Sequence, residues 1–325
     1  AMVQWMGGIG IIVLFIAVFP KLGVGGTQLL SAEVTGPVVE KLTPRIRQTA
    51  SLLWKIYLSL TGALALLLLL CGLPLYDALL HALSTISTGG FSSRTLSVGS
   101  FQNAAAEWVL ALFSFLGGVN FALLYRVLWL REFQRLKNTE LVAYVILILL
   151  ATALITASLW SSDTGRPLGE TLRQASFHVI SIITTTGFAT VNYDAWPPLA
   201  RSVLFTLLFV GAMAGSTSGG PKIIRFLVLF KDLLRGFRQM VHPHSTVSLT
   251  IDGQPVGERV VSGIAQFLFA YGLLFFVSVI VLSVEGYDLV TTATAVVGAL
   301  GNVGPGLGLV GPYGNYAFFS PWAKQ

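Results

Sequence analysis

The sequence predicts an all-α polytopic membrane protein in which helix–pore loop–helix units repeat around a pore, for three reasons. Of its 325 residues, 54% are hydrophobic and only 10% are charged, whereas soluble domains carry about 25% charged residues. The apolar residues fall into runs long enough to cross a bilayer. Three connections between these runs contain a short apolar stretch that ends in a glycine-containing turn.

Six apolar segments are candidate membrane crossings, because about 20 apolar residues span a bilayer as a helix. Leu141–Trp160 and Val260–Val284 are uncharged runs of 20 and 25 residues. The other candidates are Trp5–Phe19, Ile56–Tyr76, Ala104–Leu130 and Ser202–Phe230, the last of which is broken in its middle.

The net charge of +6 is unevenly distributed along the chain. All but five of the 20 basic residues lie in alternate connections between the candidate crossings: Lys21, Lys41, Arg45, Arg47, Lys55, Arg126, Arg131, Arg135, Lys137, Lys222, Arg225, Lys231, Arg235, Arg238 and Arg259. Positive charge marks the cytoplasmic side of membrane proteins. These connections are therefore predicted to face the cytoplasm and the opposite set to face outside, and no nucleic-acid partner is indicated.

Each of the three outer connections begins with an acidic residue and continues as a short apolar stretch. They start at Asp77, Glu170 and Asp288 and continue as ALLHALSTISTGGFSS, TLRQASFHVISIITTTGFAT and LVTTATAVVGALGNVGPGLG. Such stretches are too short to cross the bilayer, and irregular backbone at membrane depth persists only inside protein or beside a watery cavity. We expect re-entrant pore helices, with the acidic residues at their positive N-terminal ends and a cation near their negative C-terminal ends.

The turns after these helices contain the candidate ion-binding residues, because backbone carbonyls can replace the hydration shell of a cation. The candidates are Ile86, Ser87, Thr88, Gly89, Thr184, Thr185, Thr186, Gly187, Gly301, Asn302, Val303 and Gly304. Glycine adopts the dihedral angles that point successive carbonyls at one axis, but spacing does not decide between Gly89 and Gly90. No carboxylate lies in the turns, which favours a monovalent over a divalent cation.

A glycine-rich segment, GAMAGSTSGGP, interrupts the candidate crossing Ser202–Phe230. Its candidate gating residues are Gly211, Gly215, Ser216, Thr217, Ser218, Gly219 and Gly220. A break in a membrane helix frees backbone groups that need water or protein partners. The segment is therefore predicted to be a flexible barrier in the conduction path, and the alternative is a packing break between close helices. Lys222 and Arg225, which follow it, either line the path or snorkel at the helix end.

The chain contains, in order, QWMGGIGIIVL, LGVGGTQL, KLTPRI, STISTGGFS, ITTTGFAT, AGSTSGGPKIIR and LGNVGPGLG. Together these segments resemble the Trk/Ktr/HKT superfamily of potassium transporters, most closely its TrkH-type membrane subunits. The resemblance implies four repeats around a pseudo-fourfold pore, with one filter glycine from each. It assigns that role to Gly89, Gly187 and Gly304, and a gating role to Gly211–Gly220.

The resemblance also divides the chain into four parts. Residues 1–50 hold the final helix of repeat one and a cytoplasmic linker, and residues 51–138 hold repeat two. Residues 139–257 hold repeat three with its interrupted second helix and a linker, and residues 258–325 hold an incomplete repeat four. One filter loop and the last helix of the family pattern are missing, so we expect a fragment that does not conduct alone.

The predicted function is potassium uptake. The protein is expected to be a transport protein and not an enzyme, and to carry no covalent cofactor. The resemblance further implies a homodimer in the inner cell membrane and a cytosolic nucleotide-binding regulatory subunit that docks on the basic inner loops. The nearest alternative is a sodium-conducting or weakly selective relative, because a serine in the missing filter loop favours sodium within the superfamily. From another class, the alternative is a non-conducting membrane scaffold, although a scaffold has no need of glycine turns at membrane depth.

Overall fold

The computed structural model describes residues 1–10, 46–162, 167–242 and 248–324. Its helices are α1 Met2–Trp5, α2 Ile46–Leu70, α3 Leu75–Ile86, α4 Ala104–Gly117, α5 Phe121–Leu128, α6 Thr139–Ser161, α7 Leu168–Ile183, α8 Pro198–Leu207, α9 Ile223–Val241, α10 Glu258–Leu282 and α11 Leu289–Leu300. Strands β1 Thr250–Ile251 and β2 Gln254–Pro255 form an antiparallel hairpin. The predicted all-α class is confirmed, with the hairpin as a local addition.

Within these residues, three helices are long and apolar enough to cross a membrane: α2, α6 and α10. The predicted crossing Ile56–Tyr76 is wrong at its end, because α2 stops at Leu70. Gly72 adopts a left-handed conformation with φ of 87°, and Pro74 follows it. Such a residue pair commonly ends a helix, so Tyr76 belongs to the next, shorter helix, α3.

The predicted crossing Ala104–Leu130 is not one straight helix, because α4 and α5 meet at an angle of 108°. The break lies at Gly118–Asn120. The Asn120 side-chain oxygen accepts hydrogen bonds from the backbone N–H groups of Ala122 and Leu123, at 2.8 and 3.1 Å. Asparagine is a preferred helix N-cap, so Asn120 starts a new helix in a new direction.

The predicted break in Ser202–Phe230 is confirmed. Residues 208–222 separate α8 from α9. The candidate crossing Trp5–Phe19 is described only as far as Gly10, and the basic residues Lys21, Lys41 and Arg45 also lie outside the described residues.

Three short helices, α3, α7 and α11, lie among the longer ones. Helix α3 packs against α2 and α4, α7 packs against α4, α6 and α8, and α11 packs against α10. An ion pair of 3.0 Å between Arg173 of α7 and Glu107 of α4 joins two of these elements. These three helices are thus held in fixed positions by their neighbours, and each ends in one of the predicted turns.

The hairpin packs beside α9. Its two-residue turn, Asp252-Gly253, has positive φ at both positions, 48° and 76°, as a type I′ turn requires. Leu249, Ile251 and Val256 of the hairpin region are buried in one cluster with residues of α9. The hairpin was not predicted from the sequence.

The Asn120 cap makes a stability prediction. The variant Asn120→Ala should lower the free energy of unfolding by about 2 kcal/mol, because it removes the cap of α5 and a side-chain bond to the Ala214 carbonyl oxygen. Asn120→Ser keeps a capping oxygen and should lose about half as much. Unfolding of the detergent-purified protein measures both. The control is Asn192→Ala at an exposed cap; an Asn120→Ala variant as stable as this control would contradict the role.

Candidate functional site

Helices α3, α7 and α11 end in turns of the same backbone conformation, here named the first turn (Ser87–Gly90), the second turn (Thr184–Gly187) and the third turn (Gly301–Gly304). Their first residues have φ of −83°, −80° and −81°. Their second residues, Thr88, Thr185 and Asn302, are left-handed, with φ of 50°, 55° and 55°. Their last residues are glycines with φ of 68°, 79° and 95°.

The hydrogen bonds repeat in the same way. The N–H of the third residue of each turn, Gly89, Thr186 or Val303, donates to a carbonyl oxygen five residues earlier. These bonds, to Ser84, Ser181 and Gly298, measure 2.7, 2.9 and 2.8 Å. Equivalent backbone angles and equivalent bonds show that the three turns are structural repeats.

Of the two glycines between which spacing does not decide, Gly90 is the one that matches Gly187 and Gly304 in conformation. Gly90 has the left-handed conformation of the other two glycines, and Gly89 does not. Ile86 is the last helical residue of α3 and is fully buried, so it lies before the turn. The matching set in the first turn is Ser87–Gly90.

The turns contact one another in series. A Cβ atom on Gly90 would overlap the carbonyl oxygen of Thr186, and one on Gly187 would overlap the carbonyl oxygen of Val303. These two contacts are equivalent, so the first turn contacts the second in the same way as the second contacts the third. Only glycine fits at either position. Around the Cβ position of Gly304, none of the described atoms lies within 4 Å.

The threonine hydroxyls hold the backbone in place. Thr184 Oγ1 donates to the Ile180 carbonyl oxygen at 2.7 Å and lies 2.8 Å from Thr186 Oγ1. Thr88 Oγ1 donates to the Thr217 carbonyl oxygen at 2.8 Å. These side chains are engaged with protein atoms, and so are the carbonyl oxygens of Ser87 and Gly304, which accept from Thr88 Oγ1 and from the Tyr316 hydroxyl. The other carbonyls of the turns are the oxygens that can face an ion.

The acidic residues Asp77, Glu170 and Asp288 lie at the starts of α3, α7 and α11, as predicted, but their contacts differ. Only Asp288 caps its helix, accepting from the Thr291 N–H at 3.0 Å. Asp77 accepts instead from the Ser93 hydroxyl and pairs with Arg94 at 2.8 Å. These two groups hold the pKa of Asp77 below its ordinary value, and the pair ties α3 to the chain beyond the first turn.

Residues Gly211–Pro221, here named the glycine-rich loop, join α8 to α9. Two backbone bonds close the loop at its base: Gly211 N–H to the Pro221 oxygen at 2.8 Å, and Ile223 N–H to the Ala212 oxygen at 3.2 Å. The two ends of the loop are therefore hydrogen-bonded to each other between α8 and α9.

The glycine-rich loop touches all three turns. Thr217 Oγ1 donates to the carbonyl oxygen of Ile86, next to the first turn, at 2.9 Å. The Gly219 N–H donates to Thr185 Oγ1 of the second turn at 2.6 Å. A Cβ atom on Gly219 would overlap the carbonyl oxygen of Gly301 in the third turn. The loop thus lies directly against the C-terminal ends of the three short helices.

The break between α4 and α5 is the other partner of the loop. Met213 N–H donates to the Gly118 oxygen at 3.1 Å, and Phe121 N–H donates to the Gly215 oxygen at 3.1 Å. Asn120 Nδ2 donates to the Ala214 oxygen at 2.8 Å. Two interrupted helices therefore satisfy each other's backbone groups.

The two basic residues after the loop lie in different places. Lys222 is only 6% exposed, and its ammonium group binds the Ser218 hydroxyl at 2.8 Å and the Ser218 carbonyl oxygen. The Arg225 guanidinium stacks on the Phe267 ring of α10 at 3.6 Å. Lys222 therefore points into the loop instead of snorkelling away from it.

Two residues at the site, Asn120 and Glu140, were missed by the sequence reasoning. Glu140 lies in the first turn of α6, and its Oε1 accepts from the N–H groups of Ala214 and Ile224 at 2.7 and 3.3 Å. The available signal was a carboxylate at the edge of an apolar run, because ionisable residues in membrane segments are costly and commonly functional.

Comparison with known proteins gives a consistent set of relatives. The sequence model of the family described as "TrkH: Cation transport protein" matches residues 1–313. The Trk system potassium uptake proteins TrkH of Salmonella typhimurium and Escherichia coli K12 are 39% and 38% identical over 325 residues, covering 99% of this chain and 67% of each relative. The crystal structure of the potassium transporter TrkH from Vibrio parahaemolyticus matches with a TM-score of 0.83 and 34% identity, covering 99% of this chain and 66% of that one. The chain thus spans about two thirds of the length of these relatives.

The register of the first turn makes a prediction for two adjacent glycines. Gly90→Ala should lower the free energy of unfolding by about 2 kcal/mol or more. The backbone at this position is left-handed, which disfavours alanine, and the new Cβ atom would overlap the carbonyl oxygen of Thr186. Gly89→Ala should cost less than about 1 kcal/mol, since the nearest atoms are the flexible end of Gln4. Denaturant unfolding of both variants measures the difference. Equal losses, or a larger loss for Gly89→Ala, would contradict the register.

Proposed function

The chain belongs to the TrkH family of cation transport proteins, and from this premise we propose that it is part of the membrane subunit of a potassium uptake system. In this proposal K⁺ passes along the axis of a pseudo-fourfold pore, and carbonyl oxygens of the three turns form part of its selectivity filter. The protein is a transporter and not an enzyme.

The single observation behind this proposal is the repeated contact between successive turns. Gly90 lies against the carbonyl of Thr186, and Gly187 lies against the carbonyl of Val303. Turns that repeat one contact around an axis place equivalent carbonyls there, where they can replace the hydration shell of an ion. Each turn also follows the C-terminal end of a short helix, which bears a partial negative charge.

The chemistry of the turns favours a monovalent cation. Divalent cations such as Ca²⁺ are commonly held by carboxylates, and the turns Ser87–Gly90, Thr184–Gly187 and Gly301–Gly304 contain none. Neutral carbonyl dipoles are the ligands by which potassium channels select their ion. Potassium is also the ion in the names of the relatives above.

We propose that the glycine-rich loop is the gate. Its contacts with all three turns support a place in the path next to the filter. Lys222 supports it as well, because its buried ammonium group within the loop repels an approaching cation. The gating residues are those named from the sequence: Gly211, Gly215, Ser216, Thr217, Ser218, Gly219 and Gly220.

The apolar helices and the family indicate an integral protein of a lipid bilayer. We propose the inner cell membrane, with the basic connections in the cytoplasm, the division into four repeats given above, a homodimer and a cytosolic nucleotide-binding regulatory subunit. Basic residues at the ends of α5 and α9 support the orientation, since positive charge marks the cytoplasmic side.

Rubidium uptake tests the function. The natural full-length protein, expressed with its regulatory subunit in potassium-deficient cells, should take up isotopic rubidium, and excess sodium should compete poorly. Absence of uptake by a well-expressed protein would overturn the proposal. Equal competition by sodium would instead favour the weakly selective alternative.

The variant Gly187→Ser tests the filter. The backbone of Gly187 has a φ of 79°, and a side chain at this position would overlap the Val303 carbonyl oxygen. The serine should therefore displace the carbonyls of two turns. We expect the preference for rubidium over sodium to fall about tenfold, which corresponds to about 1.4 kcal/mol. The matched control is Gly169→Ser, near the start of α7, where a Cβ atom meets nothing within 4 Å. An unchanged preference in folded Gly187→Ser protein would remove Gly187 from the filter.

A further inference from the structure

The start of α6 connects two elements that are distant in sequence, the glycine-rich loop and the hairpin. On one side, Glu140 Oε1 accepts from the N–H of Ala214 in the loop and from the N–H of Ile224 in α9. One carboxylate oxygen therefore joins the first half of the loop to the helix that follows it. Glu140 is only 7% exposed.

On the other side, Asp252 of the hairpin binds the two residues before Glu140. Its Oδ1 accepts from the N–H and the hydroxyl of Thr139 at 2.8 and 2.5 Å. Its Oδ2 accepts from Asn138 Nδ2 at 2.7 Å. Asn138 in turn caps α6 by accepting from the Leu141 N–H at 3.0 Å. Both carboxylate oxygens of Asp252 thus hold the N-terminal end of α6.

Both ends of this connection have a physical basis. Ile224 N–H lies in the first turn of α9, where backbone donors lack helical partners and the helix dipole favours a carboxylate. A buried carboxylate is costly unless it is hydrogen-bonded, so Glu140 gains from staying on both donors.

The hairpin also reaches the loop through apolar packing. Leu249, Ile251 and Val256 share a buried cluster with Ile224 and with Ala214 of the loop. The hairpin therefore acts on the loop in two ways. It holds the start of α6, where Glu140 accepts the hydrogen bond from the loop, and its own apolar residues pack on Ala214.

We propose that Glu140 is the positioning residue of the glycine-rich loop, and that the hairpin, through Asp252, holds Glu140 in place so that displacement of the hairpin frees the loop. The inference rests on the proposed function only in naming the loop as the gate. The order of the loop itself can be measured without ion flux, so the two proposals fail separately.

Accessibility of the loop tests the tether. In the full-length protein, with Cys71 and any other native cysteine replaced, Ser216→Cys reports on the loop through its rate of reaction with a membrane-impermeant thiol reagent in inside-out vesicles. Glu140→Ala should raise this rate about tenfold, because the loop loses a buried charged acceptor. Glu140→Gln should stay within about threefold of the parent, because its amide oxygen still accepts. Asp252→Ala should raise the rate about threefold, since its bonds are exposed.

The matched control is Glu132→Ala, which removes a partly exposed carboxylate paired with Arg135 on the same side of the protein, and its rate should equal that of the parent. An unchanged rate in folded Glu140→Ala protein would overturn the proposal. Acceleration by Glu140→Gln as large as that by Glu140→Ala would overturn the hydrogen-bond tether. If Glu140→Ala does not fold, the Asp252→Ala variant tests the proposal. An unchanged reaction rate in that variant would show that the hairpin does not hold the loop in place. A parent without rubidium uptake would overturn the potassium proposal and leave these rates interpretable.

Discussion

Backbone groups at membrane depth must find partners within the protein, and the hydrogen bonds between the glycine-rich loop and the interrupted helices meet this requirement. The loop donates from Met213 to Gly118, accepts at Gly215 from Phe121, and bonds Thr185 through Gly219. Since unpaired N–H and carbonyl groups would cost several kcal/mol each in lipid, neither interruption is stable by itself. The turns, the loop and the α4–α5 break therefore form one hydrogen-bonded unit.

Polar side chains complete this unit where the backbone cannot. Asn120 supplies a cap to α5 and a donor to Ala214, and Glu140 supplies an acceptor to Ala214 and Ile224. Ala214 thus has both of its backbone groups bound by side chains from two different helices. A loop residue held in this way fixes the position of its neighbours, including Ser216 and Thr217, against the ends of the short helices.

Short sequence patterns predicted the turns and the glycine-rich loop. The contacts between residues far apart in the sequence were not predicted. Glycine and threonine mark the turns, but the pair Gly89-Gly90 hid the register. The histidines gave a signal, because His81 and His178 each lie nine residues before Gly90 and Gly187. The break at Asn120 is marked locally by Gly117-Gly118 and by the capping residue itself, but its partner Ala214 is 94 residues away. The Asp252-Gly253 turn was readable, because Asp-Gly between apolar residues is a strong hairpin signal.

The composition of the loop explains why a few contacts can decide its state. Glycine loses more conformational freedom on ordering than any other residue, and the loop contains Gly211, Gly215, Gly219 and Gly220. Its ordered form is therefore opposed by a large entropy cost and depends on individual hydrogen bonds, each worth about 1 kcal/mol. The turns differ, because each is closed by a backbone hydrogen bond of 2.7 to 2.9 Å to the helix that it follows. A change of a few kcal/mol in the free-energy difference between two loop conformations can thus shift their populations, while the geometry of the turns persists.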